Sequence, residues 1–162
     1  MAPRSCFGLW ALPLTGDAKP FPVVQTTFDE TQGQLSPDVR WLAYTSNESG
    51  RDEVYVRPFP DAGGKWMVST GGGSQPRWRR DGKELYYIAP DRKLMAVSVK
   101  LGETFENGAA TSLFQTEVSL PSNTNRYDVT SDGQRFLVNQ PAQSGKEAPF
   151  NVILNWTSTL KK

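Results

Sequence analysis

A short motif recurs three times along the chain and constrains its fold more strongly than any other feature. In each copy a short strand runs into an aspartate, a turn residue follows, and an apolar strand begins at once. The aspartates are Asp38, Asp81 and Asp132, which lie 43 and 51 residues apart. Because Asp bonds its own backbone and Gly accepts positive φ, the Asp-Gly pairs of the last two copies predict tight hairpins. In the first copy Val39 replaces the glycine, which predicts a strained turn or a turn of another type.

The spacing of the motif is close to the roughly 40 to 45 residues of a four-stranded propeller blade. Segments rich in β-branched and aromatic residues fit such a unit, and no helical periodicity interrupts them. We therefore predict an all-β chain, with residues 1–162 forming one partial β-propeller of about three four-stranded antiparallel blades, half of a six-bladed ring. Its predicted parts are the outer strands of a preceding blade (8–30), two blades (31–70 and 74–116) and an incomplete last blade (125–157) with its third strand at Asn151–Trp156.

Composition excludes several classes of function. The chain has 18 Lys and Arg against 17 Asp and Glu, which gives no electrostatic reason to bind nucleic acid or an anionic membrane. It has no histidine and one cysteine, Cys6, so the usual general base and zinc ligands are missing. Acidic pairs such as Asp52-Glu53 predict solvated turns. No apolar run approaches the roughly 20 residues that span a bilayer. We predict no catalytic residue, metal, cofactor, nucleic-acid partner or membrane insertion.

The repeat resembles a known family. The segments that carry the resemblance are Gln34-Leu-Ser-Pro-Asp38, Glu53-Val-Tyr-Val-Arg-Pro-Phe-Pro60 and Ser74-Gln-Pro-Arg-Trp-Arg-Arg-Asp-Gly82. They are similar to the WD40-like repeats of TolB-type propellers, and most similar to the C-terminal propeller of bacterial serine/threonine protein kinases. The resemblance implies a sensor or scaffold, extracytoplasmic or periplasmic where a membrane helix separates it from the kinase and cytoplasmic otherwise. Because kinase motifs do not occur in this sequence, any kinase activity belongs to a parent chain.

The first strand of each predicted blade supplies the candidate binding residues. In propellers this strand lines the central channel, so equivalent positions of successive blades should lie near one mouth. Long polar side chains that converge there suit hydrogen bonding to a peptide or a small polar ligand, and the alternative is a hydrated channel rim. The aligned positions are Gln32, Gln75 and Arg126, followed two residues later by Gln34, Arg77 and Asp128.

Incomplete blades at the two ends of the repeat predict a partner. Natural propellers have four to eight blades, and exposed sheet edges pair with other strands. We expect the chain either to be a fragment of a longer propeller or to close a six-bladed ring with a second copy. The predicted function is a non-catalytic binding or scaffold module for a protein or peptide. The alternatives are a propeller fragment of a prolyl-oligopeptidase-like peptidase and a TolB-like periplasmic interaction protein.

Overall fold

The computed structural model describes residues 6–14, 16, 19–61, 63–122 and 124–141. Every regular element in these ranges is a β-strand, so the described chain offers no helix with the length and hydropathy to cross a bilayer. The strands are β1 (Leu9–Ala11), β2 (Phe21–Val24), β3 (Glu30–Leu35), β4 (Trp41–Ser46), β5 (Glu53–Pro58), β6 (Trp66–Met67), β7 (Ser74–Trp78), β8 (Glu84–Ile88), β9 (Lys93–Leu101), β10 (Phe105–Gln115), β11 (Tyr127–Val129) and β12 (Phe136–Val138).

The strands pair only with their neighbours in sequence. Strands β3 to β6 form one four-stranded antiparallel meander and β7 to β10 form a second. Each is flanked by a two-stranded sheet, β1–β2 before the first and β11–β12 after the second. The predicted strand at Asn151–Trp156 lies outside the described residues.

A large apolar cluster joins the two four-stranded sheets face to face. From the first sheet it takes Trp41 and Ala43, and from the second Leu85 and Tyr87. Alternate residues of the same strands point the other way, because successive side chains of a strand face opposite sides of its sheet. All six residues of β4 are buried, so this sheet is covered on both faces.

The outer faces of the two sheets are covered by the two-stranded sheets. Leu42 and Tyr44 pack with Leu9 of β1, while Tyr86 and Ile88 pack with Phe136 of β12. Each sheet therefore stacks on the next in chain order, as the blades of a propeller do. The chain is a partial β-propeller, which confirms the predicted fold class.

The three aspartate turns share one hydrogen-bond pattern. In each turn an aspartate Oδ1 accepts from the backbone N–H two residues later, at Arg40, Lys83 and Gln134. The residue after the aspartate is left-handed every time, with φ of 58° at Val39, 70° at Gly82 and 69° at Gly133. The first turn is therefore of the same type as the other two, and Val39 adopts a backbone conformation that is costly for a β-branched residue.

The second four-stranded sheet has a long outer hairpin. The stretch Gly102–Ala110 is polar, but β10 already begins within it at Phe105. Phe105 is 3% exposed and its ring lies 5.7 Å from that of Trp41 and 5.9 Å from that of Trp66. One buried aromatic thus extends the strand into a sequence of low β-propensity, and only Gly102–Thr104 remains as the hairpin tip.

Candidate functional site

The inner edges of three successive sheets meet through two glutamines. Gln32 on β3 uses its Oε1 to accept the backbone N–H of Gln75 on β7, at 2.8 Å. Gln75 in turn uses its Oε1 to accept the backbone N–H of Arg126, at 2.6 Å. These are the positions that the repeat aligns, so the structure brings Gln32, Gln75 and Arg126 together at equivalent places in consecutive blades.

A β-bulge prepares both glutamines for this contact. The ladder register shifts between Thr31 and Gln34 and again between Ser74 and Arg77, and both glutamines have positive φ, 57° at Gln32 and 60° at Gln75. A bulge leaves one residue without its ladder partner and re-aims its side chain. The backbone N–H of Gln75 and the side-chain oxygens of both glutamines then take part in hydrogen bonds between sheets.

Gln32 also reaches two sheets ahead. Its Nε2 donates to the carbonyl of Ser122 at 2.6 Å, and its Oε1 accepts from the hydroxyl of Thr45 at 2.8 Å. The Ser122 hydroxyl accepts from Nε of Arg126 at 3.1 Å. Gln32, Gln75, Arg126 and Ser122 therefore form a closed loop of hydrogen bonds over three sheets, which we call the inner-edge network.

Gln75 is the buried centre of this network. Its side chain is fully buried, and its Nε2 has no hydrogen-bond partner among the described residues. Its carbonyl accepts from the hydroxyl of Tyr127 at 2.9 Å, and burial raises the pKa of that phenol well above its ordinary value. Tyr127 therefore remains a protonated donor, and a second bond fastens the last described sheet to β7.

The other three predicted site residues lie further along the inner strands. Gln34 contributes its backbone carbonyl, which accepts from Nε1 of Trp78 at 3.0 Å. Arg77 is half-buried, donates to the carbonyl of Tyr127 at 3.4 Å and lies 3.8 Å from the exposed carboxylate of Asp128. Arg77 and Asp128 therefore meet across two blades. Ligand binding by these six residues stays a prediction.

A cavity of about 270 Å³ opens beside the inner-edge network. Part of its wall is formed by Ser122, which belongs to the network, and by Ser74, which precedes Gln75. Its apolar sides are formed by Pro90, Leu120 and Pro121. Asp52 lies at its rim, where burial and then the nearby carboxylates of Asp29 and Glu53 raise its pKa. The lining combines apolar walls with a few polar groups, which is the usual character of a ligand pocket.

Glu53 holds the loop that forms the far wall of this cavity. Its Oε1 accepts from Nε of Arg51 at 2.9 Å and from the N–H of Gly72 at 2.8 Å, and its Oε2 accepts from the hydroxyl of Ser69. The prediction that Asp52-Glu53 forms a solvated turn is therefore wrong for Glu53, which is 1% exposed and begins β5. The bonds from three donors compensate the burial of its charge.

Comparison with solved structures finds similarity to a known propeller protein over most of this chain. TolB from Acinetobacter baumannii aligns with a TM-score of 0.40 and 16% sequence identity, over 79% of this chain and 41% of that chain. This chain thus spans about two fifths of the length of TolB. No family model and no curated protein matches the sequence.

The chemistry available at the site is hydrogen bonding and charge pairing. No cluster of three acidic or cysteine side chains suited to a metal occurs among residues 6–141 where these are described. Sequence reasoning finds Gln32, Gln75 and Arg126 from the repeat but misses Ser122 and Asp52, which lie in connections outside the repeated motif. The separation of the glutamines, equal to the blade interval, is the signal that leads to the network.

Proposed function

We propose that this chain is a non-catalytic binding module that holds a protein segment or peptide beside the inner-edge network. The observation that carries the proposal is convergence: polar side chains from three successive sheets meet at one end of the inner strands, next to a cavity of about 270 Å³. No step of covalent or metal chemistry is assigned to these groups.

The cavity and the network offer complementary features to a peptide. Ser122 and Arg126 are partly exposed and can exchange their mutual hydrogen bond for one to a peptide carbonyl. Asp52 carries a carboxylate at the rim, suited to a peptide N–H or a cationic side chain. The prolines and Leu120 give the apolar contact that supplies affinity.

We further propose that the module is the sensor-like portion of a bacterial serine/threonine kinase-type protein. The support is the resemblance of the repeat segments, from Gln34 to Gly82, to propellers attached to such kinases. The gene's upstream flank tests this directly. A kinase domain and a membrane helix encoded in frame would support the proposal, whereas an α/β-hydrolase domain encoded downstream would favour the peptidase alternative.

Selection of peptides tests the binding role. Random 12-residue peptides displayed on phage are selected on the purified chain, and the enriched peptides are titrated calorimetrically. Arg126→Ala and Ser122→Ala should weaken binding at least tenfold, because Ser122 lines the cavity and Arg126 bonds to its hydroxyl. Both changes leave the Gln75 bond to the Arg126 backbone in place. Arg40→Ala, at the aspartate turn, is the matched control. Equal affinity for Arg126→Ala and wild type, or no enrichment, would refute the proposal.

A further inference from the structure

An Asn-Gly pair lies on the outer edge of the second four-stranded sheet. Asn107 and Gly108 belong to β10, which pairs with β9 and is the last strand of that sheet. Both residues are exposed, as is every residue of β10 from Glu106 to Ser112. The pair is therefore open to water. It lies at the opposite edge of the sheet from the inner-edge network, so its chemistry is independent of the proposed peptide binding.

The main chain at this pair is irregular. The register of β10 against β9 shifts between Asn107 and Ala110, so two residues of β10 oppose the single residue Ser98. A β-bulge of this kind disrupts the hydrogen-bond ladder locally, and the peptide between Asn107 and Gly108 is therefore held less firmly than one in a regular strand. The Asn107 side chain already lies along the same stretch of main chain, because its Nδ2 donates to the Gly108 carbonyl at 3.3 Å.

We propose that Asn107 is a site of spontaneous deamidation, in which the side-chain amide converts to a carboxylate without an enzyme. The backbone nitrogen of Gly108 attacks the side-chain amide carbon of Asn107 and loses its proton, and the amide nitrogen leaves as ammonia. The new C–N bond closes a succinimide ring. Water then adds to one of the two ring carbonyls and opens the ring, giving aspartate or isoaspartate. Water is the one co-reactant, and no electron transfer is involved.

Glycine at position 108 makes the ring closure favourable. It has no Cβ, so its nitrogen approaches the amide carbon without a steric clash, whereas every other asparagine in the sequence precedes a larger residue. Asn47 is the clearest contrast. Its Oδ1 accepts the backbone N–H of Asp29 at 3.0 Å, and its Nδ2 donates to Oδ2 of the same residue at 3.2 Å. Those bonds fix the amide group, so Asn47 serves as an internal reference that should not react.

Conversion to isoaspartate would disturb the packing between the two four-stranded sheets. Isoaspartate routes the main chain through its Cβ, which adds one carbon to β10 between Phe105 and the residues after the bulge. Phe105 is 3% exposed, and its ring lies 5.7 Å from that of Trp41 and 5.9 Å from that of Trp66. The added atom must shift either Phe105 or the pairing of β10 with β9, because strand register fixes which side chains face the core. Isoaspartate at position 107 should therefore lower the stability of the folded chain.

Peptide mass spectrometry of the full chain tests the proposal. The folded protein is incubated at mildly alkaline pH, and digestion with trypsin then releases the peptide that contains Asn107. That peptide should gain the mass difference between an amide and an acid at Asn107, with isoaspartate as the main product, while Asn47 stays unchanged. Gly108→Ala should slow the reaction at least tenfold. The variant should fold normally, because a Cβ at this position lies 3.7 Å from the nearest atom, the carbonyl oxygen of Ser98.

The reaction rate in the folded state and the stability of the aged protein decide the outcome. The folded chain should react at a rate within tenfold of the chain unfolded in urea. An amide that persists in the folded chain while the unfolded chain loses it would overturn the proposal, as would equal rates for wild type and Gly108→Ala. Aged wild type should unfold at a lower Tm than fresh protein, whereas Gly108→Ala kept for the same time should not change. Asn107→Asp, which adds the charge but no main-chain atom, should retain the fresh Tm. An aged wild type with the fresh Tm would refute the effect assigned to isoaspartate.

Discussion

Replacing Val39 with glycine should stabilise the protein. Val39 has a φ of 58°, and the left-handed region costs an L-residue roughly 1–2 kcal/mol, with β-branched residues at the upper end. Glycine removes that strain but adds about 0.7 kcal/mol of chain entropy to the unfolded state. Val39 is 52% exposed and outside the three apolar clusters, so little packing is lost. The expected net gain is about 1 kcal/mol in the free energy of unfolding.

Chemical and thermal unfolding measure this gain. For a chain of this length, about 1 kcal/mol corresponds to a rise in Tm of roughly 3 °C. The reciprocal change Gly82→Val places the same side chain at a φ of 70° in an equivalent turn, and should lower stability by at least as much. If Val39→Gly lowers Tm or leaves it unchanged while Gly82→Val destabilises, then the equivalence of the two turns, and the strain assigned to the first, are refuted.

The remaining predictions concern the buried polar groups. Gln75→Ala should cost about 2 kcal/mol or more in urea unfolding, because it opens a cavity and leaves the Arg126 N–H without its acceptor, whereas the exposed control Gln25→Ala should cost little. Glu53→Ala should cost about 3 kcal/mol in the same assay, because it leaves the Ser69 hydroxyl and the Gly72 N–H without their acceptor. A cost below that of Gln75→Ala would contradict this ordering. Arg79 donates to both carboxylate oxygens of Asp81 and lowers the pKa of that group to about 2. The stability that Asp81 contributes is therefore present above pH 4 and lost as pH falls towards 2, so Asp81→Asn should flatten that part of the pH–stability curve, and an unchanged slope would argue against the Arg79 pairing.

The repeat predicts the fold because its signals act locally. Asp81-Gly82 closes a turn through its own backbone, and alternating apolar residues such as Leu85 and Tyr87 identify one face of a strand without knowledge of its partner. Local signals do not show where β10 begins, because Phe105 packs against Trp41 and Trp66 of another sheet. Contacts between sheets cannot be predicted from the residue pattern of a single strand.

For the candidate site too, the sequence predicts the positions within each repeat but not the contacts between sheets. Alignment of the repeat places Gln32, Gln75 and Arg126 at equivalent positions, but it does not show that two of these side chains already bond to the next sheet. The β-bulges at the glutamines have no recognised sequence signature, since neither residue is glycine. Glu53 reads as a loop residue because its three donors come from its neighbour Arg51 and from positions 16 and 19 residues later.

Under the proposed function, the inner-edge network would couple ligand binding to the packing of the blades, because its hydrogen bonds join successive sheets. The Oε1 atoms of Gln32 and Gln75 are already occupied by backbone N–H groups of the following sheets, so a ligand gains little from the glutamines unless it displaces a bond between blades. Arg126 and Ser122 differ, because the bond they share joins two residues of the same connection and can be exchanged without separating sheets. A peptide bound at the cavity would therefore act first on the connection before β11, and the hydrogen bond from Gln32 to the Ser122 carbonyl would link that connection to β3. If the proposed binding occurs, a ligand at this inner edge would therefore act on the hydrogen bonds that join the sheet β3–β6 to the last described sheet.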